Sequence, residues 1–119
     1  MGTTAAHIDP LAQRFAQRLR EEIGARNVFL FGSHVTGTPN QDSDFDFIIV
    51  SSGFEGVRPL QRPIGLRRYW REVGGRGPLD LFCLTPEELD GARGGINLLT
   101  EILPKAVDLL ALPESTLSS

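Results

Sequence analysis

Two apolar runs, 28–31 and 45–50, frame a polar connection rich in Gly, Pro and Asn, and the second run carries carboxylates just before and within it, at Asp44 and Asp46. Each run has strand length and each is bounded by turn-favouring residues. The spacing therefore predicts two strands, roughly 27–31 and 44–50. In the second, Phe45, Phe47 and Ile49 take one face, while Ile48 and Val50 follow the aspartates on the other. A strand with apolar residues on both faces belongs in the middle of a sheet. Carboxylates placed there need an account, because an isolated buried charge is costly unless it is paired, hydrogen-bonded or metal-bound.

The first run stops at Gly32-Ser33. Small residues at a strand end let backbone N–H groups turn toward an anion, which supplies half of a phosphate pocket. Asp44 and Asp46, at i and i+2 of one strand, share a face roughly 7 Å apart along the chain. Carboxylates held in this way suit two hard divalent cations about 3.5–4 Å apart, the arrangement used for in-line displacement at phosphorus. The plainer alternative is an exposed strand start, or edge charges that discourage aggregation. A third acid, Asp80, interrupts another apolar run at 78–84, with Leu79, Leu81 and Cys83 on one face and Asp80 and Phe82 on the other. Three acids in strand contexts beside a small-residue corner favour the chemical reading.

The elements around this stretch follow in order. Asp9-Pro10 is a helix start, and Leu11, Phe15, Leu19 and Ile23 repeat every four residues until Gly24, with Arg14, Gln17, Arg18 and Glu21 turned outward. Residues 34–36 suit a short helical turn, with His34 read as an ordinary loop residue, and 51–56 read as a loop. A helix is expected from Pro59 or Pro63 to Val73, with Leu66, Tyr69, Trp70 and Val73 on its apolar stripe and Gly74-Gly75 closing it. Arg58, Arg62, Arg67, Arg68, Arg71 and Arg76 crowd this region, either as a solvated face or as a landing surface for a polyphosphate or an acidic partner. Thr85-Pro86-Glu87-Glu88 spells a capping box, and Gly91 and Gly94-Gly95 are expected to end the short helix after it. Residues 96–103 predict a further helix stopped by Pro104, and 106–110 a last short strand or helix end. Cys83 and Trp70 read as core.

The chain has 119 residues and a formal net charge of −3. That length suits one domain, 1–119, with frayed ends at about 1–7 and 113–119, and leaves no room for a second, substrate-dedicated one. The negative balance argues against broad nucleic-acid binding. With one cysteine no internal disulfide can form, and no apolar run approaches the ~20 residues that span a bilayer. The start has neither a basic nor an apolar leader segment, so the expectation is a cytoplasmic protein.

Gly32-Ser33, ten residues, Asp44-Phe45-Asp46, then Asp80 within Leu-Asp-Leu followed by Thr-Pro-Glu-Glu-Leu, resembles the DNA polymerase β-like nucleotidyltransferase superfamily, and within it the minimal nucleotidyltransferases. The resemblance is specific over 28–84, and 98–110 is similar to the family's closing helix and strand. It implies an α+β fold, a mixed sheet flanked by helices. It also implies that Gly32 and Ser33 hold the β- and γ-phosphates of ATP and that Asp44 and Asp46 bind two Mg²⁺ ions. Asp80 would complete one metal site and help take the proton from an acceptor hydroxyl. Small members of this group often act as antitoxins that add AMP to a tyrosine of a helical HEPN-type ribonuclease toxin, so such a partner is the expected acceptor. Two rivals stand beside this: a nucleotidyltransferase acting on a small molecule such as an aminoglycoside, and a non-catalytic binding module of the same fold. The chain departs from the family at one place. Where relatives commonly carry arginines after Gly-Ser, it reads His34-Val35-Thr36-Gly37, so a cation for the triphosphate would have to reach in from between Arg58 and Arg76.

Overall fold

The structure is a computed structural model, and it describes residues 10–31, 45–75, 77–95 and 98–111. The first helix, α1 (Pro10–Ile23), forms on the predicted stripe: Phe15 and Leu19 are fully buried with Ala12 and Ala16, and Leu11 and Ile23 pack against them. Gly24, at φ 66°, turns the chain out of the helix while its N–H donates to the Arg20 carbonyl at 3.1 Å. Residue Asp9, the predicted cap, lies outside the described residues.

β1 (Asn27–Phe31) and β2 (Phe45–Val50) then pair antiparallel, Phe31 opposite Asp46 and Asn27 opposite Val50. β3 (Leu79–Leu84) adds to the other side of β2 in parallel, and β4 (Val107–Asp108) adds to β1 antiparallel, giving the order β3-β2-β1-β4. The sheet is mixed and β2 is central, as the two-faced apolar pattern requires. One face, carrying Val28, Leu30, Phe45, Phe47, Ile49, Leu79 and Cys83, buries α1 and α2 (Leu66–Glu72). Here Phe15 meets Phe47 at 5.0 Å and Trp70 at 5.3 Å between ring centroids. The opposite face, Phe29, Ile48 and Val50, is covered by Leu89 of α3 (Pro86–Arg93) and by Leu99 and Ile102 of α4 (Leu98–Ile102). Phe31, opposite Asp46, packs against the margin of this second cluster. At the other end Asp46 is half-buried.

Several elements differ from the sequence expectation for identifiable reasons. The helix predicted from Pro59 or Pro63 begins only at Leu66, because Gly65 sits at φ 91° and breaks any continuous helix. Pro59–Gln61 instead form one 3-10 turn. The loop after β2 also contains such a turn, Ser52–Phe54, capped by the Ser51 hydroxyl, which accepts from Gly53 N–H and donates to the Ile23 carbonyl. Gly91 does not end α3, which runs to Arg93, and Pro104 lies inside a 3-10 turn, Leu103–Lys105, that extends α4. The segment 106–110 resolves to a strand, held by Leu109 N–H on the Val28 carbonyl at 2.8 Å and by Asn27 Nδ2 on Asp108 Oδ2 at 2.7 Å. β3 is an edge strand, not a buried run, and Asp80 on it is exposed. The expected frayed ends, 1–7 and 113–119, fall outside the described residues.

The predicted capping box is present in full: Thr85 Oγ1 accepts from Glu88 N–H, and Glu88 Oε1 accepts from Thr85 N–H. Glu88 also takes a fork from Arg62, Nη1 to Oε1 at 2.6 Å and Nη2 to Oε2 at 3.2 Å. Arg62 is buried, and its remaining donors reach the carbonyls of Val57 and Cys83. It thereby ties the Pro-rich segment to β3 and α3, and among the described members of the arginine cluster it is the one that faces inward, contrary to a solvated face. The Arg62 hydrogen bond, followed by the Thr85 N–H, holds the Glu88 carboxyl below its ordinary value of 4.5. A depressed carboxylate contributes stability that is complete above its unfolded pKa and is lost as pH falls through the folded one. Glu88→Gln is therefore expected to cost on the order of 1 kcal/mol at pH 7, and the gap to wild type in urea titrations should close as pH drops below about 4.5.

Candidate active site

β2 and β3 run parallel with Asp46 directly opposite Asp80. Residues opposite one another in a ladder project to the same face, with backbones about 4.8 Å apart. Phe31 stands opposite Asp46 on the other flank, so one row across the sheet reads Phe31, Asp46, Asp80. In this row Asp46 is half-buried and Asp80 exposed. Two acids facing each other across a ladder repel, and a shared cation relieves that repulsion. Oxygen donors in this arrangement match what hard divalent cations such as Mg²⁺ take. Among the described residues no group of three or more His, Cys, Asp or Glu converges, and the pair is Asp46 with Asp80.

The other predicted site residues, Gly32, Ser33 and Asp44, together with the 34–36 turn and His34, lie outside the described residues. Phe31, which precedes Gly32, ends β1 in the same row as both acids.

Of the arginines proposed to reach toward phosphates, Arg62 is spent on Glu88, and Arg68 lies 5.1 Å over the Tyr69 ring. Arg67 is placed differently. It is exposed, and its Nη1 donates to the Leu79 carbonyl at 2.6 Å, one residue before Asp80 on the edge strand. A guanidinium has five donors in a planar fork, so one backbone bond fixes its stem and leaves the head able to bind an anion. Sequence reasoning grouped Arg67 with its neighbours; only the packing of α2 against the start of β3 singles it out.

Cys83 and Trp70 are core, as expected. Burial pushes the Cys83 thiol up to about 12, against the lowering effect of Arg62, which removes it from any nucleophilic role at neutral pH. The face that carries the acids also carries Phe82, 49% exposed. That it shares a face with Asp80 was visible in the sequence; its exposure depends on β3 being an edge.

No helix among the described residues is long and apolar enough to cross a membrane. The family model described as a nucleotidyltransferase domain matches residues 12–118. The protein adenylyltransferase MntA of Thermococcus cleftensis is 33% identical over 66 residues, covering 56% of this chain and 64% of that protein, so the chain matches somewhat under two thirds of the relative's length. Among solved structures, one from Sulfolobus solfataricus described as a candidate nucleotidyltransferase superposes with a TM-score of 0.50 at 22% identity, over 91% of this chain and 89% of the other. BolA1 from Arabidopsis thaliana superposes with a TM-score of 0.53 at 26% identity, over 68% of this chain and 98% of its own.

Proposed function

The chain belongs to the nucleotidyltransferase domain family, and from that premise we propose that it transfers AMP from ATP to a protein hydroxyl, in the manner of an antitoxin that modifies a tyrosine of a HEPN-type toxin. The observation that carries the reading is the register that sets Asp46 directly against Asp80 on one face of the sheet. The likeness to a protein adenylyltransferase supports a protein acceptor.

The roles divide as follows. Asp46 and Asp80, with Asp44, would hold two Mg²⁺ ions, which would supply charge neutralisation for the phosphates and the departing pyrophosphate. Gly32 and Ser33 hold the β- and γ-phosphates through backbone N–H groups and the hydroxyl. Arg67 supplies the fixed cation missing after Gly32-Ser33. The acceptor oxygen attacks the α-phosphorus, its proton passes to Asp80, the bond to the bridging oxygen of the β-phosphate breaks, and pyrophosphate leaves. The nucleoside monophosphate stays on the acceptor. The chain's contribution is positioning and charge placement, the two terms that dominate phosphoryl and nucleotidyl transfer.

The test is transfer of label from α-labelled ATP to a HEPN-type partner in the presence of Mg²⁺. The expected result is label on the partner, none with a chelator, and a raised KM for ATP in Arg67→Gln. Label on an aminoglycoside in place of the protein would move the reading to a small-molecule transferase. Tight partner binding without any transfer would reduce it to a binding module.

A further inference from the structure

We propose that Phe82, propped by Phe31, is the platform on which the base of the bound nucleotide stacks. The inference rests on the nucleotidyl-transfer reading of the acid pair and assigns that site its base-binding surface. Among the described residues three large apolar side chains are exposed: Leu60 at 89%, Ile64 at 74% and Phe82 at 49%. Leu60 and Ile64 lie in the turns before α2 and on no strand of the sheet. Phe82 alone of the three sits on the acidic face, two residues beyond Asp80 on the same strand and opposite Ile48. Two residues along a strand is about 6.6 Å, the scale of the single ribose that separates an α-phosphate from its base.

The ring is held rather than loose. Phe31 and Phe82 come from strands on either side of β2, and their rings close over it to 6.0 Å between centroids at 45°. Phe31 packs in turn against the Phe29, Ile48, Val50 and Leu89 cluster. The pair therefore forms a border, with the carboxylates on its wet side and the apolar cover of α3 and α4 on its dry side. A ring already fixed in place loses little freedom when a ligand stacks on it. An aromatic face accepts any base, because every base has a π-face. A nucleotide whose phosphates are drawn to cations held by Asp46 and Asp80 brings its base over this border in one direction along β3, since the opposite direction leaves the strand.

Equilibrium binding of ATP and of inorganic tripolyphosphate in Mg²⁺ tests this on the intact chain. Phe82→Ala is expected to weaken ATP about tenfold, or about 1.4 kcal/mol, with tripolyphosphate unchanged. Phe82→Leu should resemble Phe82→Ala, since it keeps apolar bulk without a ring, and Phe82→Tyr should restore wild-type affinity. Unchanged ATP binding in Phe82→Ala would overturn the platform, as would an equal loss for both ligands or a rise confined to the KM of the acceptor. Wild type binding neither ligand would instead overturn the nucleotide reading, and the platform with it.

Discussion

Asp80→Asn is expected to lower nucleotidyl transfer by about a thousandfold while leaving the fold intact. The size follows from the charge that the site must neutralise. On the proposed mechanism, removing an acid that would hold the cations forfeits several kcal/mol of transition-state stabilisation, and three decades of rate correspond to about 4 kcal/mol. The stability expectation has the opposite sign. Asp80 is exposed on an edge strand and stands directly opposite Asp46. Like charges facing each other across a ladder cost a few tenths of a kcal/mol up to about 1, so the neutral amide should melt at the same temperature as wild type or slightly above. Asp46→Asn should lose activity to a similar extent. A residue kept for folding would show loss of both properties together. A transfer rate within tenfold of wild type in either variant would remove the acid pair from the mechanism.

How much of this was legible beforehand depended on the range over which each feature is determined. The strands at β1, β2 and β3 and the capping box at Thr85-Glu88 are local patterns, and they formed where the spacing placed them. The relation of Asp46 to Asp80 was legible only as a shared chemistry. The register that sets them side by side belongs to a parallel pairing across residues distant in sequence, which periodicity does not report. Arg62 shows the same boundary from the other side. In a Pro-rich, Arg-rich stretch it reads as one more solvated cation, and only the arrival of Glu88 and the Cys83 carbonyl makes its burial affordable. Phe82 and Asp80 stand in an apolar run whose sequence does not say whether it lies inside a sheet or at its edge. Strand order, which no local window contains, puts them at the sheet's margin and makes them available to a ligand. Gly65 misled in the reverse direction: two prolines before it each resembled a first helical position, but the left-handed conformation at Gly65 delays α2 to Leu66.

Gly75→Ala should be the most damaging single methyl group that can be added among the described glycines. A Cβ at this position would fall within the indole of Trp70, 2.5 Å from Nε1 and nearer still to the carbons at the ring fusion. Trp70 has nowhere to retreat. It is 2% exposed, and its ring is wedged among Phe45 at 4.8 Å, Phe15 at 5.3 Å and Phe47 at 5.8 Å between centroids. The backbone cannot yield freely either, because Gly75 N–H donates to the Trp70 carbonyl at 2.8 Å and Gly74 beside it already holds φ 102°. Overpacking a close-packed core costs about 1–3 kcal/mol and occasionally more, and with aromatic rings on three sides the upper end applies. For a chain of this size that is a fall of roughly 10 °C in Tm. The same methyl at Gly91, inside α3, meets nothing within 4 Å. There it should add about 0.5–1 kcal/mol through helix propensity. Calorimetry on the two variants therefore separates packing from propensity, one chemical change with two signs. A Gly75→Ala protein as stable as wild type would mean that Trp70 does not occupy this pocket, and that the aromatic cluster beneath β2 is arranged differently.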